Sequence, residues 1–102
     1  MADTVLVVED DPANALLVET ILTRLGGFEV IRSHDGDEVL EIVSSRPISA
    51  ALMDVSLKDT RVRGDKVDGV ELTRRIRALP GGVGLPVILL TAHAMKGDRE
   101  RC

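Results

Sequence analysis

Short apolar runs without polar alternation recur along this chain, each followed by a longer stretch in which apolar residues return every three to four positions. That alternation of periods is the pattern of a parallel α/β sheet. Thr4–Val8 is continuous and rich in β-branched residues, as a strand covered on both faces must be, and is expected at the centre of the sheet. Asp11-Pro12 supplies a helix cap and a first helical residue, Leu17, Ile21 and Leu25 recur at four-residue spacing, and Gly26-Gly27 ends the helix. Residues 28–31 predict a second strand. Asp35-Gly36 makes a turn into a helix whose apolar face is Val39, Leu40 and Val43, and Pro47 closes it. Residues 48–53 predict a third strand ending at Asp54. Residues 55–67 mix charges without periodicity and read as a long solvated loop, of a length that is often functional. Asp68-Gly69 opens a third helix carrying Val70, Leu72 and Ile76, with Arg74, Arg75 and Arg77 on a solvated outer face, and Pro80-Gly81-Gly82 closes it. Val87–Leu90 predicts a fourth strand with Thr91 at its end, and residues 95–102 look like the opening of another helix. With right-handed crossovers this is a doubly wound α/β fold, a single domain over residues 1–102, with binding groups collected at the carboxyl ends of its strands.

Composition narrows the function classes. The 102 residues carry 13 basic and 17 acidic side chains, a net charge of −4, and are 44% hydrophobic, which suits one folded core and argues against disorder. Mild acidity disfavours nucleic acid as a direct partner, since phosphate binding draws on clustered Lys and Arg. Apolar stretches such as Val87–Leu90 fall far short of a membrane span, and the N-terminus shows no signal-peptide pattern. Cys102 is the single cysteine, so no internal disulfide forms. A cytoplasmic protein is expected.

The acidic residues matter more by position than by number. Glu9, Asp10 and Asp11 follow the first strand, and Asp54 ends the third. Asp11 before Pro12 is explained as a helix cap. Glu9 and Asp10 have no such explanation, and if the first and third strands are neighbours Asp54 faces them across one edge. Carboxylates a few ångströms apart repel by about 1–4 kcal/mol per pair, which raises a pKa or calls for a cation. Mg²⁺ fits best, because it takes oxygen ligands and is held by one or two carboxylates together with a phosphate.

The ordered blocks Val5-Leu6-Val7-Val8-Glu9-Asp10-Asp11-Pro12, Ala51-Leu52-Met53-Asp54, Asp68-Gly69-Val70-Glu71-Leu72 and Pro86-Val87-Ile88-Leu89-Leu90-Thr91-Ala92 resemble the receiver domain of two-component response regulators, over nearly the whole chain. The resemblance implies a flavodoxin-like receiver fold, with Asp54 accepting a phosphoryl group from a histidine kinase or phosphotransfer protein. It implies Mg²⁺ held by Glu9, Asp10, Asp54 and the main-chain carbonyl of Ser56, with Thr91 as the switch hydroxyl and Ala92 as the small residue beside it. Such a domain acts as a phosphoacceptor that binds partners, not as an enzyme on a free substrate.

The chain departs from the family pattern in three respects. Residues 58–66 look inserted after Asp54, and the Pro common in that loop is missing. The fifth-strand Lys and aromatic switch residue, with the fifth helix, have no counterpart, so the fold is expected to be truncated after the fourth strand and the start of the fourth helix. Lys96, only five residues past Thr91 at the start of the fourth helix, is not assigned that role. An uncovered fourth-strand edge pairs readily with other chains, so a homodimer through that edge is expected. The competing function is a receiver-like interaction module that does not switch on phosphorylation. A phosphohydrolase is disfavoured by Ser56, where such enzymes often place a second acid. A dinucleotide-binding enzyme is disfavoured because Glu9-Asp10-Asp11 replaces the Gly-rich turn. His34 and His93 have no metal-ligand spacing and read as loop residues.

Overall fold

A computed structural model describes residues 3–90 of the chain. Its elements run β1 (Thr4–Val8), α1 (Pro12–Gly26), β2 (Glu29–Ser33), α2 (Gly36–Ser45), β3 (Ala50–Asp54), β4 (Arg61–Val62), β5 (Asp65–Lys66), α3 (Gly69–Arg77), a 3₁₀ turn (Pro80–Gly82) and β6 (Val87–Leu90). The main sheet is parallel with strand order β2-β1-β3-β6, which puts β1 in the interior and makes β1 and β3 neighbours. The α/β architecture read from the periodicity is therefore the one observed. Thr91, Ala92, His93, Lys96 and the helix expected over residues 95–102 lie outside the described residues.

Among the described residues, each α-helix starts on an Asp whose side chain accepts a backbone N–H: Asp11 from Ala13 (2.9 Å), Asp35 from Asp37 (3.0 Å) and Asp68 from Glu71 (2.8 Å). A cap of this kind stabilises a helix by about 1 kcal/mol. Alternation along the strands then divides two faces. Leu6 and Val8 of β1 and Ala51 and Met53 of β3 point to the face covered by α2 and α3, where Val39, Ile42, Leu72 and Ile76 complete the main core. Val5 and Val7, also buried, point to the other face, toward α1.

The Leu17, Ile21 and Leu25 stripe, which marked α1 in the sequence, lies largely outside the core: these residues are 49%, 47% and 83% exposed, and Ala15 is the buried residue of α1. The helix turns a different side inward: Ala15 is buried and Val18 and Leu22 are half-buried, so the 17/21/25 stripe lies beside the packed face. Crossover from β1 to β2 runs one way and the later crossovers run the other, so α2 and α3 share one face of the sheet while α1 lies on the other. The loop expected over residues 55–67 is not wholly solvated. Its centre is the antiparallel hairpin β4–β5, and Leu57, Thr60, Val62 and Val67 are buried.

That hairpin turns through Arg63 (φ 51°) and Gly64 (φ 85°), both in the left-handed region, which makes a two-residue type I′ turn matched to the strand twist. It sits close over the start of α2. A Cβ on Gly36 would collide with the Arg61 carbonyl, so the close approach requires glycine there. The arginines of α3 are less idle than a solvated face implies. Arg74 and Arg75 pair with Glu71 at 3.3 and 3.1 Å, and Arg77 donates to the carbonyls of Gly82 (3.0 Å) and Leu85, tying the 3₁₀ turn to the end of the helix. Among the described residues, no helix is long and apolar enough to cross a membrane.

Candidate functional site

The pairing of β1 with β3 sets Val8 opposite Met53, so Glu9 and Asp10 leave β1 at the level where Asp54 ends β3. One carboxylate oxygen from each of Glu9, Asp10 and Asp54 lies within 4.8 Å of the others. The three acids singled out in the sequence are thus brought together at the carboxyl edge of the sheet, where the strand order reverses. An open cleft of about 280 Å³ reaches Glu9 and Asp10 from the α1 and β2 side, lined also by Ala15, Arg32 and His34. His34 sits in the loop after β2, and its carbonyl accepts from the Thr60 hydroxyl.

Each of the three carboxylates is oriented by main-chain donors. Glu9 accepts the Asp11 N–H (3.1 Å) and Asp54 accepts the Ser56 N–H through Oδ1 (2.9 Å). Asp10 accepts two through Oδ2, from Lys58 (2.6 Å) and Asp59 (3.2 Å). Backbone donors on a carboxylate stabilise its charged form and fix its plane. They do not cancel the crowding. Burial, with the Asp54 and Asp10 carboxylates beside it, pushes Glu9 from its ordinary 4.5 up to about 7, against the opposing Asp11 N–H. A carboxyl raised by burial and by neighbouring carboxylates is one whose charged form a nearby cation would favour.

Three carboxylate oxygens within 4.8 Å of one another are the kind of donor set that a hard divalent ion takes, and Mg²⁺ is commonly held by one or two carboxylates with water and phosphate completing its shell. The residues fit the ion. Asp11, by contrast, serves as the cap of α1, as its position before Pro12 implied. Gly69, buried at the start of α3, packs directly under β3: a Cβ there would strike the Asp54 carbonyl. The Lys58 and Asp59 amides on Asp10, and Thr60 behind them, were not legible in the sequence, because a main-chain donor 48 residues away leaves no residue-type signal.

A family model described as the response regulator receiver domain matches residues 5–102. The polar-differentiation response regulator DivK of Brucella ovis is 34% identical over 101 residues, covering 99% of this chain and 76% of that protein. The hybrid signal transduction histidine kinase I of Dictyostelium discoideum is 36% identical over 99 residues, covering 95% of this chain and 6% of the kinase. The chain thus spans only a small part of the kinases it matches. Among solved structures, the receiver domain of a Pseudomonas aeruginosa sensor histidine kinase, described with a magnesium ion coordinated in its active-site cleft, superposes with a TM-score of 0.78 at 36% identity, covering 98% of this chain and 75% of that one. The carboxylate edge, the parallel sheet and the sequence match agree, and the chain belongs to the response regulator receiver domain family.

Proposed function

We propose that this protein is a cytoplasmic phosphoacceptor of a two-component or phosphorelay system, taking a phosphoryl group on Asp54 with Mg²⁺ held by Glu9, Asp10, Asp54 and the Ser56 main-chain carbonyl. The observation that carries this reading is the convergence of the three carboxylates at the end of β3. The phosphoryl donor is a histidine kinase or phosphotransfer protein. An Asp54 oxygen attacks phosphorus, the new O–P bond forms as the P–N bond of the phosphohistidine breaks, and the departing imidazole nitrogen keeps the electron pair and takes a proton. Magnesium, when bound, offsets charge on the equatorial phosphoryl oxygens. The remaining work belongs to the chain. The Ser56 amide holds the plane of the nucleophile, the Lys58 and Asp59 amides hold Asp10, and Glu9, raised by burial and its acidic neighbours, would ionise more readily beside a cation. Thr91 and Ala92, outside the described residues, are assigned by their place in the family pattern to contact the phosphoryl oxygens.

Treatment with a small-molecule phosphodonor and Mg²⁺, followed by intact-mass measurement, is expected to show one phosphoryl addition that is lost in Asp54→Asn. No addition to the wild type overturns the phosphoacceptor reading in favour of an interaction module. The same proposal includes self-association through β6, an edge strand among the described residues, where Ile88 and Leu89 are 53% and 44% exposed. Sedimentation is expected to show a concentration-dependent dimer, and a single monomeric species at high concentration would rule it out.

A further inference from the structure

We infer that Thr60 is a positioning residue for the metal site: its buried hydroxyl anchors the β4–β5 hairpin so that the main-chain amides just before it orient Asp10 for Mg²⁺. The inference rests on the metal reading given above and adds to it a residue, and a segment, that the carboxylate cluster alone does not implicate.

Thr60 is fully buried, and its Oγ1 donates to the His34 carbonyl at 2.8 Å. Its own carbonyl accepts the Val67 N–H at 2.9 Å and closes the base of the hairpin. One residue therefore joins the segment after β3 to the loop after β2. Asp59 and Lys58 immediately precede it, so fixing Thr60 fixes the two N–H groups that converge on Asp10 Oδ2. At the other end of the hairpin the Arg63 N–H donates to both oxygens of Asp37 at 3.2 and 3.1 Å, and Leu57, Val62 and Val67 are buried in the core. The segment is held at its base, its tip and its apolar side. With Oδ2 committed to two donors, the Asp10 carboxylate is locked in one plane, and its remaining lone pairs are pre-aimed instead of being ordered at the moment a cation binds. Hydrogen bonds behind ligating carboxylates commonly change metal affinity by about 10–100-fold when lost.

The test measures Mg²⁺ binding by titration calorimetry and amide hydrogen exchange at Lys58 and Asp59 on the full chain. Thr60→Val keeps the shape and removes the hydroxyl. It is expected to weaken Mg²⁺ binding roughly tenfold and to speed exchange at both amides, while Thr60→Ser, which restores the hydroxyl, returns both readouts to within about twofold of wild type. Should Thr60→Val not fold, Asp37→Ala frees the hairpin from its tip and is expected to weaken binding several-fold in the same direction. Folded Thr60→Val or Asp37→Ala protein with unchanged Mg²⁺ affinity overturns the inference while leaving the metal reading intact. Wild-type protein that binds no Mg²⁺, or whose binding survives Asp10→Asn, overturns the metal reading and the inference with it.

Discussion

Replacing Asp54 by Asn should make the metal-free protein more stable. The three carboxylate oxygens lie within 4.8 Å of one another. At that separation two unit charges repel by about 1 kcal/mol in water-like surroundings and by about 3.5 kcal/mol at an effective dielectric near 20. Glu9 and Asp10 are half-buried, so the lower end applies, and a net relief of about 1–2 kcal/mol is expected at pH 8 and low salt. Asn keeps an oxygen to accept the Ser56 N–H, so the substitution removes charge without removing the hydrogen bond. For a domain of this size about 1 kcal/mol corresponds to roughly 4–8 °C in Tm. The chain has no Trp or Tyr, so the melt is followed by circular dichroism or calorimetry.

The pH dependence has a definite sign. Glu9 titrates near 7 in the folded protein against an ordinary 4.5, so between those values the folded state binds more protons than the unfolded one. This group therefore lowers stability as pH rises through that window, with the full cost above 7 and none below about 4.5. In Asp54→Asn the slope should become shallower but not vanish, because burial is the leading cause of the shift and remains. Added Mg²⁺ should reverse the order. Wild type gains about 2.7 kcal/mol at a concentration 100 times its Kd, and the variant gains little. A variant that melts at or below the wild-type temperature at pH 8 and low salt, or that keeps the full Mg²⁺ gain, refutes the reasoning.

Three further outcomes follow from packing and backbone geometry. Gly69→Ala must push the start of α3 away from the Asp54 carbonyl, costing about 1–3 kcal/mol and weakening Mg²⁺ binding, read by melting and by titration calorimetry. Arg63→Asn should stabilise by up to about 1 kcal/mol, because Asn tolerates the left-handed conformation that Arg63 adopts before Gly64; a shift to higher urea midpoint with unchanged slope checks it. Leu72→Ala, at a fully buried position between α3 and the sheet, should cost about 2–5 kcal/mol in urea unfolding, a large share of the stability of a small domain.

The exposed apolar surface has a pattern of its own. Leu17, Ile21 and Leu25 on α1 lie on one side of the sheet, while Val70 on α3 and Leu89 on β6 belong to the other. Both faces of the described domain therefore keep apolar side chains in contact with water, whereas a monomeric surface seldom collects them in large patches. The ion pair of Arg32 with Glu19 at 3.3 Å ties β2 to α1 but is exposed, and contributes at most about 1 kcal/mol.

Local pattern by itself determined the alternation of strands and helices, the Asp cap at position 11, the helix start at Asp68-Gly69, and the placing of Glu9, Asp10 and Asp54 at strand ends. These are legible because apolar period, capping residues and turn residues act within a few positions of one another. Boundaries were less so: the second strand runs over Glu29–Ser33 and the third over Ala50–Asp54, since ladder bonds to β1, not residue type, decide where a strand begins. Only the tertiary structure decided that the 17/21/25 stripe of α1 stays largely exposed, because packing on the sheet turns Ala15, Val18 and Leu22 inward instead. It alone decided that residues 61–66 pair as a hairpin, whose strands are too short to carry a period. And it alone decided that Thr60 and two backbone amides stand behind Asp10, because a main-chain N–H is the same in every residue but proline and becomes specific only by where the fold delivers it.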